Sequence, residues 1–254
     1  MIKKLNYLSL NICAFKLKRV LTIFLLLILV PIFFYLIDFK YSTNINDYFD
    51  FYFFLLITGI ASVPFTILTS IFFTAILLFV YKSDVKNMII LAIFVNLIVL
   101  SSQAFVFFTK LIIKEPRPYI EVLVEKNYIK SSKDFYSLNK RNRVELINNM
   151  DLESINIPFW QKEHLKHEVG YSFPSGHTVF IATWTILLFC FLLEKRRYFL
   201  ASLFYILAFS IELSRLLLGM HFWQDLFASV CISFFTVVFY IFIIRFKLLK
   251  WDRS

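Results

Sequence analysis

The sequence predicts an all-α polytopic membrane protein, because its composition is too apolar for a soluble globule and its apolar residues lie in long runs. Of the 254 residues, 59% are hydrophobic and 20% are aromatic, and the mean hydropathy is +0.73. Several runs reach the roughly 20 residues that a helix needs to cross a bilayer. We therefore expect six transmembrane helices with a small helical periplasmic cap between the third and the fourth. The predicted divisions of this one membrane domain are 1–118 (N-terminal arm and helices one to three), 119–170 (cap) and 171–254 (helices four to six).

Three apolar runs precede the cap. The first, Val20 to Ile37, follows a basic arm and lacks a small-residue cleavage site, so we expect an uncleaved span. The second, Phe51 to Tyr81, exceeds one membrane thickness, and we expect one tilted helix that is kinked at Pro64 or begins along the interface. The alternative is two separate spans with a turn near Gly59 to Pro64. The third run, Met88 to Thr109, continues as far as Glu115. Pro116 and Pro118 then end it.

A polar region and three more apolar runs complete the chain. Positive and negative side chains nearly balance in the region 119–170, which indicates a small folded cap of short helices. The apolar runs that follow are Thr178 to Leu193, Tyr198 to Leu218 and Asp225 to Ile244.

The lysine and arginine content of the short loops predicts the orientation. The basic segments are the N-terminal arm, the loop with Lys82 and Lys86, the loop Lys195 to Arg197 and the tail from Arg245. The link Asp38 to Asp50 is acidic instead. Since cytoplasmic loops are rich in basic residues, we expect both termini in the cytoplasm and the cap outside. This distribution also accounts for the net charge of +10, and without a nucleic-acid-binding motif we expect no nucleic acid partner.

The first group of polar residues at an outer helix end is Lys110 and Arg117, followed by Pro118. A lysine at that depth is costly unless its amine reaches the interface or binds an anion. Proline on both sides holds Arg117 extended, with its guanidinium free to bind oxyanions. By itself the group is equally consistent with ordinary interfacial lysine and arginine.

The second group is Pro174-Ser175-Gly176-His177, at the outer start of the fourth span. Ser175 fits a helix N-cap, and Gly176 allows a ligand to approach the backbone closely. His177 then lies in the first turn, beside free N–H groups that suit a phosphate. The alternative is an ordinary capped helix with a solvated histidine.

The third group contains Ser214, Arg215, His221 and Asp225. Gly219 permits a turn between the fifth and sixth spans. Asp225 is the fourth residue after His221, a spacing that puts both on one helix face, so the carboxylate can accept from one imidazole nitrogen and leave the other as a nucleophile. A purely structural His/Asp pair at a helix start is the alternative.

The charges of the short loops place all three groups on one side of the membrane. The residues of the three groups were not used to predict that orientation. Together they supply three cations, a helix start and two histidines, one of which has a carboxylate partner. Phosphoryl transfer depends mostly on positioning and charge stabilisation, which this set provides without a metal ion. We therefore expect neither a metal site nor a cofactor.

The three groups resemble the signature motifs of the type 2 phosphatidic acid phosphatase (PAP2) superfamily, which includes the vanadium haloperoxidases. All the fixed positions occur in order: Lys110-x6-Arg117-Pro118, Pro174-Ser175-Gly176-His177 and Ser214-Arg215-x5-His221-x3-Asp225. Within the superfamily, the stretch 115–225 is similar to bacterial phosphatases of phosphatidylglycerol phosphate. The likeness is weaker in the first hundred residues.

The resemblance implies a role for each motif residue. His221 would form a phosphohistidine, Asp225 would orient it, and His177 would protonate the departing lipid oxygen and then activate water. The phosphoryl oxygens would be held by Lys110, Arg117, Ser175, the Gly176 backbone and Arg215. The supporting residues would be Pro118, Pro174, Ser214 and Glu212.

The resemblance also implies the substrate and the location. We expect a lipid phosphatase in the bacterial inner membrane, with phosphatidylglycerol phosphate and undecaprenyl diphosphate as leading substrates and phosphatidate and lysophosphatidate as further ones. The bilayer and the lipid are the expected partners, without an obligate protein partner. Two alternatives stay open: a lipid phosphotransferase, and a non-catalytic lipid-binding or transport protein on the same scaffold.

Three further polar residues need an interpretation. His164 and His167 lie three residues apart without a third spaced ligand, so we interpret them as a solvated helix face. Glu212 lies three residues before Arg215 within the fifth span, a spacing that allows an ion pair, and we expect it to position that arginine.

Overall fold

The computed structural model describes residues 16–43, 52–62 and 64–251, except for the side chains of 155 and 244–251. These residues form helices and no strand, as the sequence predicts. The helices are α1 (Leu17–Leu27), α2 (Leu29–Leu36), α3 (Tyr52–Gly59), α4 (Phe65–Tyr81), α5 (Val85–Ile112), α6 (Pro118–Glu125), α7 (Ser132–Ser137), α8 (Lys140–Asn149), α9 (Phe159–His167), α10 (Gly176–Glu194), α11 (Tyr198–Leu217) and α12 (Trp223–Trp251).

Helix α10 is the centre of the bundle. Every residue from Thr178 to Leu192 is buried, and the helix packs against α1, α4, α5, α11 and α12. A helix that is apolar on all sides is stable only when neighbours cover all its faces. The surrounding helices instead expose large apolar side chains outward, as helices in contact with lipid do, among them Phe33, Phe72, Leu100, Phe209 and Phe239.

Five helical segments in the described residues are long and apolar enough to cross a membrane: Leu17–Leu36, Val85–Ile112, Gly176–Glu194, Tyr198–Leu217 and Trp223–Ile243. They correspond to five of the six predicted spans. The remaining candidate is α4, which is apolar but has only 17 residues. At 1.5 Å per residue it is about 25 Å long, slightly less than the hydrocarbon core.

The second apolar run is not the single tilted helix that the sequence predicts. Helix α3 ends at Gly59, and α4 begins at Phe65 after a short turn. Pro64, which lacks an N–H group, occupies the N-cap of α4, so the chain changes direction at the residue where a kink was expected. The turn carries Ser62 to the end of the bundle where the three polar groups lie.

The polar region forms a cap of four short helices, α6 to α9, and one 3-10 turn, as expected. Its small apolar core includes Tyr119, Leu123, Phe135, Ile147 and Leu165. Leu218 and Met220, from the connection between α11 and α12, belong to the same core. The cap therefore packs directly on the residues that precede His221.

Gly219 allows the turn before His221. Its φ is +71°, and a Cβ at this position would lie 2.6 Å from the Tyr41 ring. The Gly219 carbonyl accepts a 3.1 Å hydrogen bond from the Tyr119 backbone N–H, which ties the turn to the cap. Both the backbone angle and the available space therefore exclude a side chain here.

We expect Gly219→Ala to destabilise the protein by about 2 kcal/mol or more, because left-handed backbone and steric overlap both penalise a Cβ. Thermal unfolding in detergent measures this loss. Gly59→Ala is the matched control, since a Cβ at Gly59 would meet nothing within 4 Å. Equal melting temperatures for the two variants would contradict the role given to Gly219.

Candidate active site

Three helix ends and one cap loop form the site. Ser175 caps α10, and its hydroxyl accepts from the Thr178 N–H at 3.3 Å, as the motif predicts. The side chain of Ser175 is fully buried, and the Ser175 backbone N–H donates to Ser229 Oγ at 2.9 Å. Ser175 therefore shapes the start of α10, while Gly176 and His177 line the cavity beside it.

His221 and Asp225 form the predicted pair. His221 Nδ1 lies 3.1 Å from Asp225 Oδ2, and the same carboxylate oxygen accepts from the Phe222 N–H at 3.1 Å. Since a carboxylate can only accept, Nδ1 carries the proton and Nε2 presents its lone pair. Ser172 also donates to Asp225 Oδ2 and lies 3.2 Å from His221 Nδ1, a contact that the sequence alone did not indicate.

Arg117 is buried and holds several loops together. Its Nε donates to the Gly170 carbonyl at 2.8 Å and its Nη1 to the Met220 carbonyl at 3.2 Å. Nη1 also lies 3.5 Å from His221 Nε2. The backbone at Arg117 is extended, as the flanking prolines predict, and Pro118 occupies the first turn of α6. The guanidinium therefore lies beside the nitrogen that presents the lone pair.

Lys110 also bonds to backbone at the edge of the cavity. It lies in the last turn of α5, and its Nζ donates to the carbonyls of Tyr171 and Ser172 at 2.6 and 3.0 Å. These bonds attach the end of α5 to the segment that contains Ser172. The ammonium lines the same cavity as Arg117 and His221.

Glu168 joins the two buried arginines. Its Oε2 lies 2.6 Å from Arg117 Nη2, and its Oε1 lies 2.9 Å from Arg215 Nη2. Arg215 is fully buried and also donates to Thr58 Oγ1 at 3.0 Å. Sequence reasoning missed Glu168, because its distance from both arginines along the chain gives no local signal.

The expected pairing of Glu212 with Arg215 is wrong. Both carboxyl oxygens of Glu212 are buried without a hydrogen-bond partner among the described residues. Helical neighbours three apart meet only when both side chains lean towards each other, and the Arg215 guanidinium extends to Thr58 and Glu168 instead.

The side chains of Ser214 and Pro174 do not contact the cavity. The Ser214 hydroxyl donates to the Ile211 carbonyl at 2.6 Å, and Pro174 is buried beside the cap of α10.

His177 faces the cavity from α10. Its Nε2 lies 2.8 Å from Ser62 Oγ and 3.8 Å from Glu168 Oε1. His164 from the cap lies on the same side, with Nε2 3.4 Å from Arg215 Nη1. The fully solvated position expected for His164 is therefore wrong, because its ring is partly buried against Arg215, whereas His167 at the end of α9 is exposed.

The charges around these groups shift their protonation equilibria. Burial, followed by the charge of Arg215, lowers the pKa of His164 to about 3. Burial and the charges of Arg117 and Arg215 likewise lower the pKa of His221 well below its ordinary value. Burial alone would raise the pKa of Glu168, but the two arginines outweigh it and hold that pKa well below its usual value. His221 is therefore neutral and Glu168 ionised near pH 7.

Two cavities meet at this site. The first, of about 410 Å³, we call the basic pocket, and its lining includes Lys110, Arg117, His177 and His221. The second, of about 920 Å³, we call the apolar groove, and it runs between α4 and α5 past Ile67, Ile71 and Leu100 to Glu168 and His177. The structure thus brings residues from all three predicted groups to one end of the bundle.

The arrangement offers cationic groups for an anion, a neutral imidazole with an exposed lone pair and a second histidine beside it. Among the described residues, no group of three or more His, Cys, Asp or Glu side chains is arranged to hold a metal ion. Fold and site together define an integral membrane protein with a cluster of histidines and cationic side chains around a cavity at one end of a helical bundle.

The chain belongs to the PAP2 superfamily, whose family model matches residues 90–248. It is 33% identical over 221 residues to phosphatidylglycerophosphatase B of Haemophilus influenzae, which covers 85% of this chain and 91% of the relative. The Escherichia coli and Shigella flexneri proteins of the same name are each 30% identical over 177 residues, covering 70% of this chain and 69% of each relative. Family and relatives support a lipid phosphatase in a bacterial inner membrane, as the sequence predicts.

We expect Glu168→Gln to destabilise the protein by about 3 kcal/mol at pH 7, because it leaves two buried guanidinium groups uncompensated. The folded-state pKa of Glu168 is depressed, so its stabilisation is present above the unfolded value of about 4.3 and is lost as the pH falls further. Thermal unfolding from pH 7 to pH 3 should show the difference between wild type and variant shrinking at the acidic end.

Glu163→Gln provides the control for loss of one acidic charge. Glu163 pairs with Lys166 on the partly exposed cap surface, and such pairs contribute little. A Glu168→Gln protein as stable as wild type at pH 7 would show that Glu168 does not compensate the arginines.

Proposed function

We propose that the protein hydrolyses lipid phosphates at the basic pocket through a phosphohistidine on His221. The observation that supports this most directly is the 3.1 Å contact of His221 Nδ1 with Asp225, which leaves Nε2 as the nucleophile beside Arg117. A neutral imidazole is required for attack, and burial together with the nearby positive charges lowers the pKa of His221 and keeps it neutral.

In the first step, the Nε2 lone pair attacks phosphorus and the bond to the lipid oxygen breaks. His177, protonated at the start of the cycle, gives its proton to that oxygen, so the lipid leaves as an alcohol or, from a diphosphate, as a monophosphate. In the second step, water attacks the phosphohistidine while His177 takes a proton from it. The phosphorus–nitrogen bond breaks, inorganic phosphate leaves, and both histidines return to their starting forms.

The cations hold the phosphoryl oxygens during both steps. Lys110, Arg117 and the first turn of α10 surround the pocket, and Arg215 is linked to it through Glu168. Lys110 and Arg117 are held by hydrogen bonds to backbone carbonyls before the substrate arrives, so little reorganisation is needed when negative charge develops in the transition state.

The apolar groove supports a lipid substrate. Ile67, Ile71 and Leu100 line it and are each more than half exposed, so the groove opens along the apolar flank of the bundle. A lipid can keep its tail between α4 and α5 while its phosphate enters the basic pocket. We propose phosphatidylglycerol phosphate and undecaprenyl diphosphate as leading substrates, and phosphatidate and lysophosphatidate as further ones.

We also propose that the chain spans the membrane six times, with α4 as the second span, and that the pocket opens at the periplasmic face. The loops at the end of the bundle opposite the cap contain the basic residues that mark cytoplasmic loops, as at Lys86 and Arg197. Both termini would then lie in the cytoplasm.

The phosphohistidine has a direct test. Wild-type protein that is mixed with ³²P-labelled phosphatidylglycerol phosphate and quenched in alkali should retain label, since phosphohistidine survives base but not acid. His221→Ala should retain none and should release phosphate at least about 10³-fold more slowly, the loss typical of a removed nucleophile. His177→Ala should be slowed about 10²- to 10⁴-fold, as for loss of a general acid.

Fully active His221→Ala protein would refute the proposed mechanism. Because no proposed role involves a metal, wild-type activity should survive prior incubation with a chelator. Loss of activity in chelator, with recovery on adding a divalent cation, would likewise contradict the proposal. A phosphatase should release the label as inorganic phosphate even when an alcohol is added. A phosphotransferase should instead transfer the label to the alcohol.

The orientation is tested with single-cysteine variants in which Cys13, Cys190 and Cys231 are replaced by serine. A membrane-impermeant maleimide should label Lys133→Cys, on the exposed surface of the cap, in cells with a permeable outer membrane but an intact inner membrane. Lys86→Cys, exposed in the first turn of α5, should react only after the inner membrane is opened. The reverse pattern would place the site at the cytoplasmic face.

A further inference from the structure

The junction between the two cavities is lined by residues from both the bundle and the cap. Five residues line the basic pocket and the apolar groove alike: Lys140, His167, Glu168, Gly176 and His177. Three of them already belong to the site. Lys140, at the start of α8, and His167, at the end of α9, come from the cap and have no role in the chemistry proposed above.

We propose that Lys140, assisted by His167, binds a second phosphate of the substrate and so favours lipids with two phosphate groups. This inference rests on the proposed function. A lipid with its tail in the groove and its terminal phosphate in the basic pocket must pass the atoms between them through the junction. In a lipid diphosphate, or in a lipid with a phosphodiester before its terminal phosphate, those atoms carry a negative charge. In a simple phosphomonoester such as phosphatidate they do not.

Lys140 is the cation in the pocket lining that remains available for this charge. Lys110 and Arg117 bond to backbone carbonyls. Arg143 lines the pocket as well, but it donates to the carbonyls of Leu138, Tyr136 and Val169 at 2.9, 2.7 and 3.2 Å.

Lys140, in contrast, is exposed and forms no hydrogen bond or ion pair within the described part of the chain. Its flexible four-carbon stem suits a second phosphate whose distance from the first differs between substrates. His167 is also exposed and adds a ring N–H group on the opposite cap helix. The cap would thus contribute to substrate selection while the bundle performs the chemistry.

The test compares kcat and KM of wild type and variants on phosphatidate, phosphatidylglycerol phosphate and a polyprenyl diphosphate in the same detergent. Lys140→Ala should lower kcat/KM about 5-fold for the two substrates with a second phosphate, through KM, because one partly exposed ion pair is lost. Phosphatidate should change less than about 2-fold. Lys140→Glu should enlarge the selective loss, and Lys140→Arg should restore most of the activity.

Arg141→Ala is the matched control. Arg141 is the next residue on α8, and it lines neither the groove nor the basic pocket, although it shares a surface cavity of the cap with Lys140 and His167. Its removal deletes the same charge from the same helix and should leave all three substrates unchanged. Added salt should raise the KM for phosphatidylglycerol phosphate in wild type more than in Lys140→Ala, since salt screens an exposed charge pair.

The outcomes separate the two proposals. If wild type hydrolyses all three lipids and the Lys140 variants lower every rate equally, or lower none, the second phosphate site is refuted while the proposed function stands. If wild type hydrolyses none of the three, the proposed function fails and this inference fails with it.

Discussion

The buried contact of Glu168 with Arg117 and Arg215 is the interaction on which the rest of the site depends. Arg215 is fully buried and Arg117 nearly so, at the end of an apolar bundle. Two buried guanidinium groups repel each other and lose their hydration, a cost that only a close anion can offset. Glu168 supplies that anion with one carboxylate oxygen to each arginine. The arginines can therefore stay in place before a substrate arrives.

Burial and the same positive charges set the protonation state of His221. Burial and, after it, the charges of Arg117 and Arg215 lower the pKa of His221, and the neutral imidazole keeps a lone pair on Nε2. Asp225 fixes which nitrogen that is. The proposed binding of a phosphate and the neutral state of His221 thus share one contribution, since the cations proposed to hold the anion also help to keep Nε2 unprotonated. The negative charge of Glu168 partly neutralises the two arginines, so that their mutual repulsion does not destabilise the folded protein.

The position of α10 explains how a lipid and this chemistry can meet. The helix is buried along its length, which fixes its first turn at the end of the bundle. Gly176 and His177 in that turn border both the basic pocket and the apolar groove. Gln103 of α5 donates to the Gly176 carbonyl at 3.2 Å, so the wall of the groove is attached to the helix that carries His177. The basic pocket and the apolar groove are therefore adjoining but chemically different surfaces, as the proposed binding of a lipid phosphate requires.

The sequence alone determined the helical class, five of the spans, the cap of short helices and the pairing of His221 with Asp225. These features follow from local patterns: apolar runs as long as a membrane is thick, and side chains four residues apart on one face. Only the tertiary structure revealed the break between α3 and α4, the position of His164 and the partner of Arg215. Glu168 lies 47 residues from Arg215 in sequence, whereas Glu212, three residues away, looked the better partner. A buried charge pairs with whichever counter-ion the packed helices bring within reach, and chain spacing does not encode that distance.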